Sequence, residues 1–396
     1  MLRVLCLDIE GGFGGSSRSL FESIKHLQES DVQVEVWCRR EGPVQARYKK
    51  LGVKCEVWPD MPHISSLPRL SRNLYIFSKF FAFSWRRSRA FRRMLEKAAA
   101  DDFDVIHLNH EGLFLLAKWL RRQLRGRVSL AMHIRTHLPS TVFSRWQYRC
   151  ISQTLDQCIF ITENERDKVA NLTGMPPKGE VIYNIVSNPS VIEEDRMIAD
   201  LPEFKLVSCS NYAWLRGNDQ LIDIAIELQR RGKENFKFIV AGNMQLMGTL
   251  PGLLGKIANS GGTLADYAEM RGVAHMFRFL GSVSDPAPIL EACDALVRPS
   301  RSSDPWGREV LEAMSHGLPV LSVGEYDTFV EPGVTGCLYR EFDAVAFADD
   351  IVAFSEKTEV RKKMGEASRN RVSLLCNGPK CAADLVQVWR GLSESA

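Results

Sequence analysis

Short apolar runs alternate along the chain with longer segments whose apolar positions recur at helical spacing. This alternation predicts βαβ units and a parallel sheet. In the first half the runs read as strands are Arg3–Leu7, Val32–Trp37, Val105–Leu108, Val128–His133 and Cys158–Thr162, with Ser17–Gln28 as the first helix. In the second half they are Lys205–Cys209, Phe236–Ala241, Met276–Leu280, Ala295–Arg298 and Pro319–Ser322. Between the halves, Asn184–Pro202 is polar and carries Pro189 and Pro202, the composition of an interdomain linker. Near the end, Lys380–Leu392 reads as a short amphipathic helix. The expected fold class is therefore α/β, with two Rossmann-like, doubly wound parallel-sheet domains. Two such domains facing each other form a central cleft lined by strand carboxyl ends, so a ligand is held from both sides.

Composition narrows the function classes. The chain has 396 residues, enough for two or three domains, and is 45% hydrophobic and 25% charged, as soluble globular proteins are. A formal net charge of +3 gives no electrostatic footprint for nucleic acid. The 10 cysteines form no CxxC pairs and several lie within apolar runs, so they read as buried hydrophobes of a reducing compartment. The opening run, Met1 to Asp8, is too short and too soon interrupted for a signal peptide, and no uninterrupted apolar stretch reaches the ~18 residues of a membrane span. These features predict a cytoplasmic protein.

The strongest chemical signal follows the strand in Ala295-Leu-Val-Arg-Pro-Ser300. It is Asp304-Pro-Trp-Gly-Arg-Glu-Val-Leu-Glu312, then Ala-Met-Ser-His-Gly-Leu-Pro-Val320. The order is strand, loop with an acid, glycine, helix with an acid, and a second strand. That is one βαβ unit with its polar groups at a strand's carboxyl end, where open α/β sheets bind ligands. A helix amino terminus there offers free N–H groups and a positive dipole end suited to phosphate. Lone acids at such a place would only complement the helix dipole.

The segment resembles the donor-sugar motif of the family 4 retaining glycosyltransferases of GT-B fold: Glu, seven residues, Glu, then Ala-Met-x-x-Gly-x-Pro-Val. The resemblance implies that Glu312 holds the ribose hydroxyls of a nucleotide sugar. Asp304 stands where the family has glutamate and, one methylene shorter, faces the sugar. It also implies donor contacts at Gly307, Arg308 and Glu309. Trp306 replaces a family phenylalanine, either beside the donor sugar or in the core.

Other elements extend the likeness. Gly11-Gly-Phe-Gly-Gly-Ser-Ser17 follows the first strand, and Gly14 and Gly15 match the glycine pair that approaches the donor diphosphate. As a dinucleotide fingerprint the loop fails, because Ser17 stands where a third glycine is needed. In Ser208-Cys-Ser-Asn-Tyr-Ala-Trp-Leu-Arg-Gly217 the family places Arg, four residues, then Lys-Gly. Arg216 keeps the second cation with a fork suited to phosphate, whereas Asn211 is neutral where the first is expected. Gly242, and Gly281 with Ser282 and Val283, match positions lining the nucleotide pocket.

His133, at a strand end in Ser129-Leu-Ala-Met-His-Ile-Arg-Thr-His137, matches the family histidine near the transferring sugar. His107, His110 and His137 are weaker candidates, and Glu163 is read as an acceptor contact or a helix cap. Residues 65–97 mix nine basic side chains with aromatics around a single acid, Glu96. The stretch suits an anionic membrane surface; the alternatives are a helix pair with core aromatics and solvated arginines, and a site for a polyanionic acceptor.

The resemblance implies a domain order of 1–187 (acceptor domain), 188–379 (donor domain) and 380–396 (a helix crossing back to the first domain). It implies a retaining glycosyltransferase moving a sugar from a nucleotide-diphosphate donor to a hydroxyl acceptor, a cell-envelope glycan or glycolipid. The set proposed to act in transfer is His133, Asp304 and Arg216. No cofactor and no metal are expected, since cations and helix ends neutralise the diphosphate. The alternative is a non-catalytic partner protein that keeps the fold, to which Asp304 and Asn211 give substance.

Overall fold

The computed structural model describes residues 1–12, 14–27, 31–64, 89–136, 140–174, 177–186, 195–302 and 306–394. The chain divides into two units: Met1–Ile185 with Cys376–Ala396, and Val186–Leu375.

The first unit holds β1 (Leu2–Asp8), β2 (Val32–Cys38), β3 (Lys54–Val57), β4 (Val105–Leu108), β5 (Ser129–Ile134), β6 (Gln157–Phe160) and β7 (Gly179–Val181). They form a 7-stranded sheet in the order β3-β2-β1-β4-β5-β6-β7, and every pair is parallel. β1, β4 and β5 are buried on both faces because helices cover both sides. One face packs Leu5, Leu7, Ile106, Leu108, Leu130 and Met132 into a core. The other packs Val4, Cys6, Val105 and Ala131 against a second core that includes Leu385 and Trp389 from the last helix, Gly378–Ser393.

The second unit holds β8 (Phe204–Cys209), β9 (Phe236–Ala241), β10 (Phe277–Gly281), β11 (Ala295–Arg298), β12 (Val320–Val323) and β13 (Gly336–Tyr339). They form a 6-stranded, all-parallel sheet in the order β10-β9-β8-β11-β12-β13. In each sheet the strand order reverses once, between β1 and β4 and between β8 and β11. These are the topological switch points, outside whose carboxyl ends such folds bind ligands.

Each strand predicted from apolar runs is present, with ends shifted by a residue or two. The first helix runs from Gly15 to Lys25, starting before Ser17 because Gly14 serves as its N-cap. β3, β7 and β13 were not predicted. All three are edge strands, exposed or half-exposed except at Gly336, and so lack a continuous apolar run. The linker region contains a short helix, Arg196–Ala199, capped by the Asp195 side chain. All ten cysteines are free, and Cys6, Cys38, Cys150, Cys158, Cys376 and Cys381 are buried. Among the described residues no helix is long and apolar enough to cross a membrane.

The last helix is as much core of the first unit as the strands it covers. Leu385→Ala should therefore cost about 2–5 kcal/mol in unfolding free energy, the range for buried leucines. Leu374→Ala, at an exposed position one helix earlier, should change it by less than ~0.5 kcal/mol. Urea unfolding of the two variants checks the contrast, and equal effects would mean that the helix is not packed as described.

Candidate functional site

In the second unit the switch point is tightly built. β8 runs into the turn Trp214–Arg216, which ends at Gly217 with φ +70°. A Cβ at Gly217 would lie 1.7 Å from the Pro299 carbonyl, so only glycine lets this loop press against the end of β11. Arg301 locks the same contact. Its guanidinium sits 3.6 Å over the Trp214 ring and donates to both Asp219 oxygens at 2.8 and 2.5 Å.

Arg298 Nε donates to Glu309 Oε1 at 3.0 Å, and Arg308 Nε to Glu312 Oε1 at 3.1 Å. Burial alone would raise the Glu309 pKa, but Arg298 and Arg216 outweigh it and hold the carboxyl below its ordinary range. Three arginines are thus neutralised by acids. Arg216, at the end of its turn, is exposed, and its side chain makes no hydrogen bond or ion pair among the described residues.

The helix Arg308–Ser315 starts at Gly307, which has no side chain to satisfy the first-turn N–H groups. Glu312 faces inward one turn later and is buried. Nearby, a cavity of about 250 Å³ opens at the carboxyl ends of β9 and β10, lined in part by Asn243, Gln245, Thr263, Phe279, Gly281 and Ser282. Gly242 N–H donates to the Gly281 carbonyl at 2.7 Å and joins the two loops. Val283 is exposed beside this rim.

The structure refines several expectations. Asn211 Oδ1 accepts the Asn243 N–H at 2.8 Å, so it ties the β8 and β9 loops where the family pattern has a cation. Of the two readings of Trp306, core packing is the one observed: the residue is buried with its ring 5.6 Å from Phe329. Glu163 does not cap its helix; Thr162 holds the N-cap position, and both Glu163 oxygens accept the Tyr183 hydroxyl at 2.9 Å. Asp304 and His137 lie outside the described residues.

In the first unit the switch point lies between β1 and β4. Gly14 and Gly15 open the first helix there. Asn109, just past β4, donates to Asp8 Oδ1 and to the Ser16 carbonyl, both at 3.1 Å, and so spans the point. His133, near the carboxyl end of β5, is buried, with Nδ1 2.8 Å from His107 Nε2. His107 is wholly buried, and its Nδ1 accepts the Trp389 indole N–H at 3.1 Å. His110 caps the turn Glu111–Leu113 by accepting the Gly112 N–H at 2.9 Å. Sequence reasoning missed Trp389, because nothing local to the last helix marks it. It also missed Arg135, which donates to Asn109 and Asn184 and orders the loop after β5.

Among the described residues no group of His, Cys, Asp and Glu side chains is gathered to hold a metal. The one Asp-x-Asp triplet at the first sheet, Asp102-Phe103-Asp104, precedes β4 at the opposite edge, where Asp104 Oδ2 accepts the Arg3 N–H at 2.7 Å.

Only residues 89–97 of the basic and aromatic stretch are described, in the helix Arg89–Ala100. There Phe91 is core, 4.7 Å from the Trp119 ring, while Arg89, Arg92 and Arg93 are exposed.

Two family models match the chain: Glycosyltransferase Family 4 over residues 13–187 and Glycosyl transferases group 1 over residues 192–371. The chain belongs to the family 4 glycosyltransferases of GT-B fold. A curated relative, the phosphatidyl-myo-inositol mannosyltransferase of Mycobacterium leprae, is 23% identical over 289 residues, 68% of this chain and 69% of that protein. HepE of Anabaena, solved with UDP-glucose, has a TM-score of 0.77 at 18% identity, covering 99% of this glycosyltransferase and 100% of the HepE chain. The sucrose-phosphate synthase of Thermosynechococcus elongatus gives 0.73 at 16% identity, with all of both chains covered. At these identities the two structures establish a shared fold.

The paired histidines make a pH prediction for this glycosyltransferase. Burial first, and Arg135 second, push the His107 pKa down to about 3 and that of His133 well below its ordinary value. Unfolding returns each to roughly 6.5. Between these limits the unfolded chain binds more protons, so stability falls as pH drops below about 6.5, by about 1.4 kcal/mol per pH unit for each histidine. Urea unfolding between about pH 7 and pH 5 should show a shallower dependence in His107→Gln than in the wild type. Identical slopes would mean that His107 is not held neutral by burial.

Proposed function

We propose that this glycosyltransferase takes its sugar from a nucleoside-diphosphate sugar and transfers it with retention to a hydroxyl of a cell-envelope glycan or glycolipid. The observation carrying this reading is the arrangement at the second switch point. Arg216 is exposed and its side chain makes no hydrogen bond or ion pair among the described residues, beside an eight-residue helix whose amino terminus lacks a side-chain cap. Arg308 in that first turn opposes the helix dipole, and a bound diphosphate would offset both. The cavity at Gly242 and Gly281 would take the base, and Glu312 the ribose. HepE, solved with UDP and with UDP-glucose, supports a donor of this class.

Departure of the diphosphate leaves negative charge on its terminal oxygens. Arg216 and the helix N–H groups would stabilise that charge as it forms. The departing phosphate would then accept the proton of the acceptor hydroxyl as it attacks from the same face. Gly14 and Gly15 would let the first unit's backbone approach the donor closely. Asp304, Gly307, Glu309 and His133 complete the proposed donor set. No metal is assigned a role, since the arginines and helix end supply the positive charge. Arg89, Arg92 and Arg93 would meet an anionic membrane surface, to which the enzyme would attach peripherally from the cytoplasmic side.

A second reading, a non-catalytic partner that keeps the fold, is favoured by one observation: Asn211, neutral where the family has a cation, serves as a loop tie.

A thermal-shift screen against nucleoside diphosphates and nucleotide sugars, without added metal, separates the two readings. A ligand that binds only the folded state raises the melting temperature. One nucleotide sugar should stand out, and its shift should vanish in Glu312→Ala. Arg216→Ala should weaken nucleoside-diphosphate binding about ten- to a hundredfold, the range for a charge-assisted contact. No shift with any ligand, and no hydrolysis of any nucleotide sugar, would favour the partner protein.

A further inference from the structure

A buried chain of three rings joins the last helix to the end of β5. Trp389 lies 282 residues beyond His107 in sequence, yet its Nε1 is 3.1 Å from His107 Nδ1. His107 Nε2 is in turn 2.8 Å from His133 Nδ1. Trp389 and His107 are 0% exposed and His133 4%. The rings meet edge to face, at 79° for Trp389 with His107 and 64° for His107 with His133, so the contacts are hydrogen bonds and not stacking.

The direction of every bond follows from the first. An indole nitrogen can only donate. His107 Nδ1 must therefore present a lone pair, and a protonated His107 would set N–H against N–H. Neutral His107 carries its hydrogen on Nε2 and donates it to His133 Nδ1. His133 Nδ1 is thereby an acceptor, and the ring's own hydrogen is left on Nε2.

We propose that Trp389 and His107 are positioning residues that fix His133 as the neutral Nε2–H tautomer, a hydrogen-bond donor towards the bound sugar. This rests on the reading of His133 as a donor-sugar contact. It gives that contact a definite chemistry. With Nδ1 occupied and Nε2 protonated, His133 has no lone pair with which to take a proton from the acceptor hydroxyl. It can donate to a sugar oxygen and hold the ring in place, while the proton released in transfer must go elsewhere; the departing phosphate is the base the proposed reaction supplies. The final helix, which follows the donor unit in sequence, would thus set the hydrogen-bonding character of a residue in the first unit.

Long-range 1H–15N correlation spectra of the ligand-free full chain, labelled at histidine, test the proposal without any donor or turnover. In the wild type His133 should show a protonated Nε2 and an unprotonated Nδ1, and His107 the same. His107→Gln should preserve the His133 pattern, because the amide oxygen can accept from Trp389 while its N–H donates to His133. Trp389→Phe removes the fixed donor and should give intermediate 15N shifts on both rings, as the pair exchanges between its two directions. A protonated His133 Nδ1 in the wild type would overturn the proposal, and so would unchanged histidine shifts in Trp389→Phe. The wild-type spectrum decides alone if a variant does not fold. Failure of the donor-binding screen with the expected tautomers present would instead count against the functional reading.

Discussion

The constraint on which the rest depends is that every strand pair in both sheets is parallel. A parallel pair cannot be closed by a tight turn, so each connection crosses the sheet and re-enters at the same edge. All strand carboxyl ends in a unit therefore gather on one side. Where the order reverses, neighbouring loops leave in opposite directions and part from each other. In this protein both partings are stitched by polar contacts. Asn109 bridges to Asp8 and Ser16 at the first. At the second, Arg301 N–H and Ser300 Oγ both donate to the Leu215 carbonyl, at 2.9 and 3.0 Å. The loops that carry the candidate residues are thus held by the framework instead of hanging from it.

Electrostatic pairing sharpens the second of these places. Asp219, Glu309 and Glu312 each have an arginine within hydrogen-bond reach, and each pair is largely shielded from solvent. Shielded pairs of this kind contribute less to net stability than their proximity suggests, because desolvating both ions offsets most of the attraction. Their effect is positional: they hold the acids at fixed orientations. Arg216, exposed and without a side-chain hydrogen bond or ion pair among the described residues, and the partial positive end of the helix Arg308–Ser315 together favour anions.

The central architecture was legible because central strands are buried on both faces and must be written as apolar runs; β1, β5 and β9 announce themselves that way. The edge strands β3, β7 and β13 did not, since a strand with one free side can be short and mixed. Among the candidate residues, Gly217, Gly242 and Gly281 stand out in the sequence because a motif keeps glycine where the backbone needs positive φ. The loop tie made by Asn211 was invisible, because a substitution in a motif says which charge is gone and not which hydrogen bond has replaced it. Trp306 could be placed in the core only once Phe329 was seen against it.

Trp389 illustrates why such residues escape sequence reasoning. Its helix is amphipathic and packs as one would expect, and a tryptophan on the buried face of such a helix reads as volume. The second requirement is polar. An indole N–H and two imidazoles enclosed together must satisfy one another, because a buried donor without a partner costs about 1–3 kcal/mol. Once the indole donates, only one arrangement of hydrogens leaves no donor facing a donor. Packing therefore decides a question of acid–base chemistry. The apolar faces of β1 and of the last helix bring the rings together, and the geometry that results leaves His133 a single protonation pattern, set by a residue from the far end of the chain.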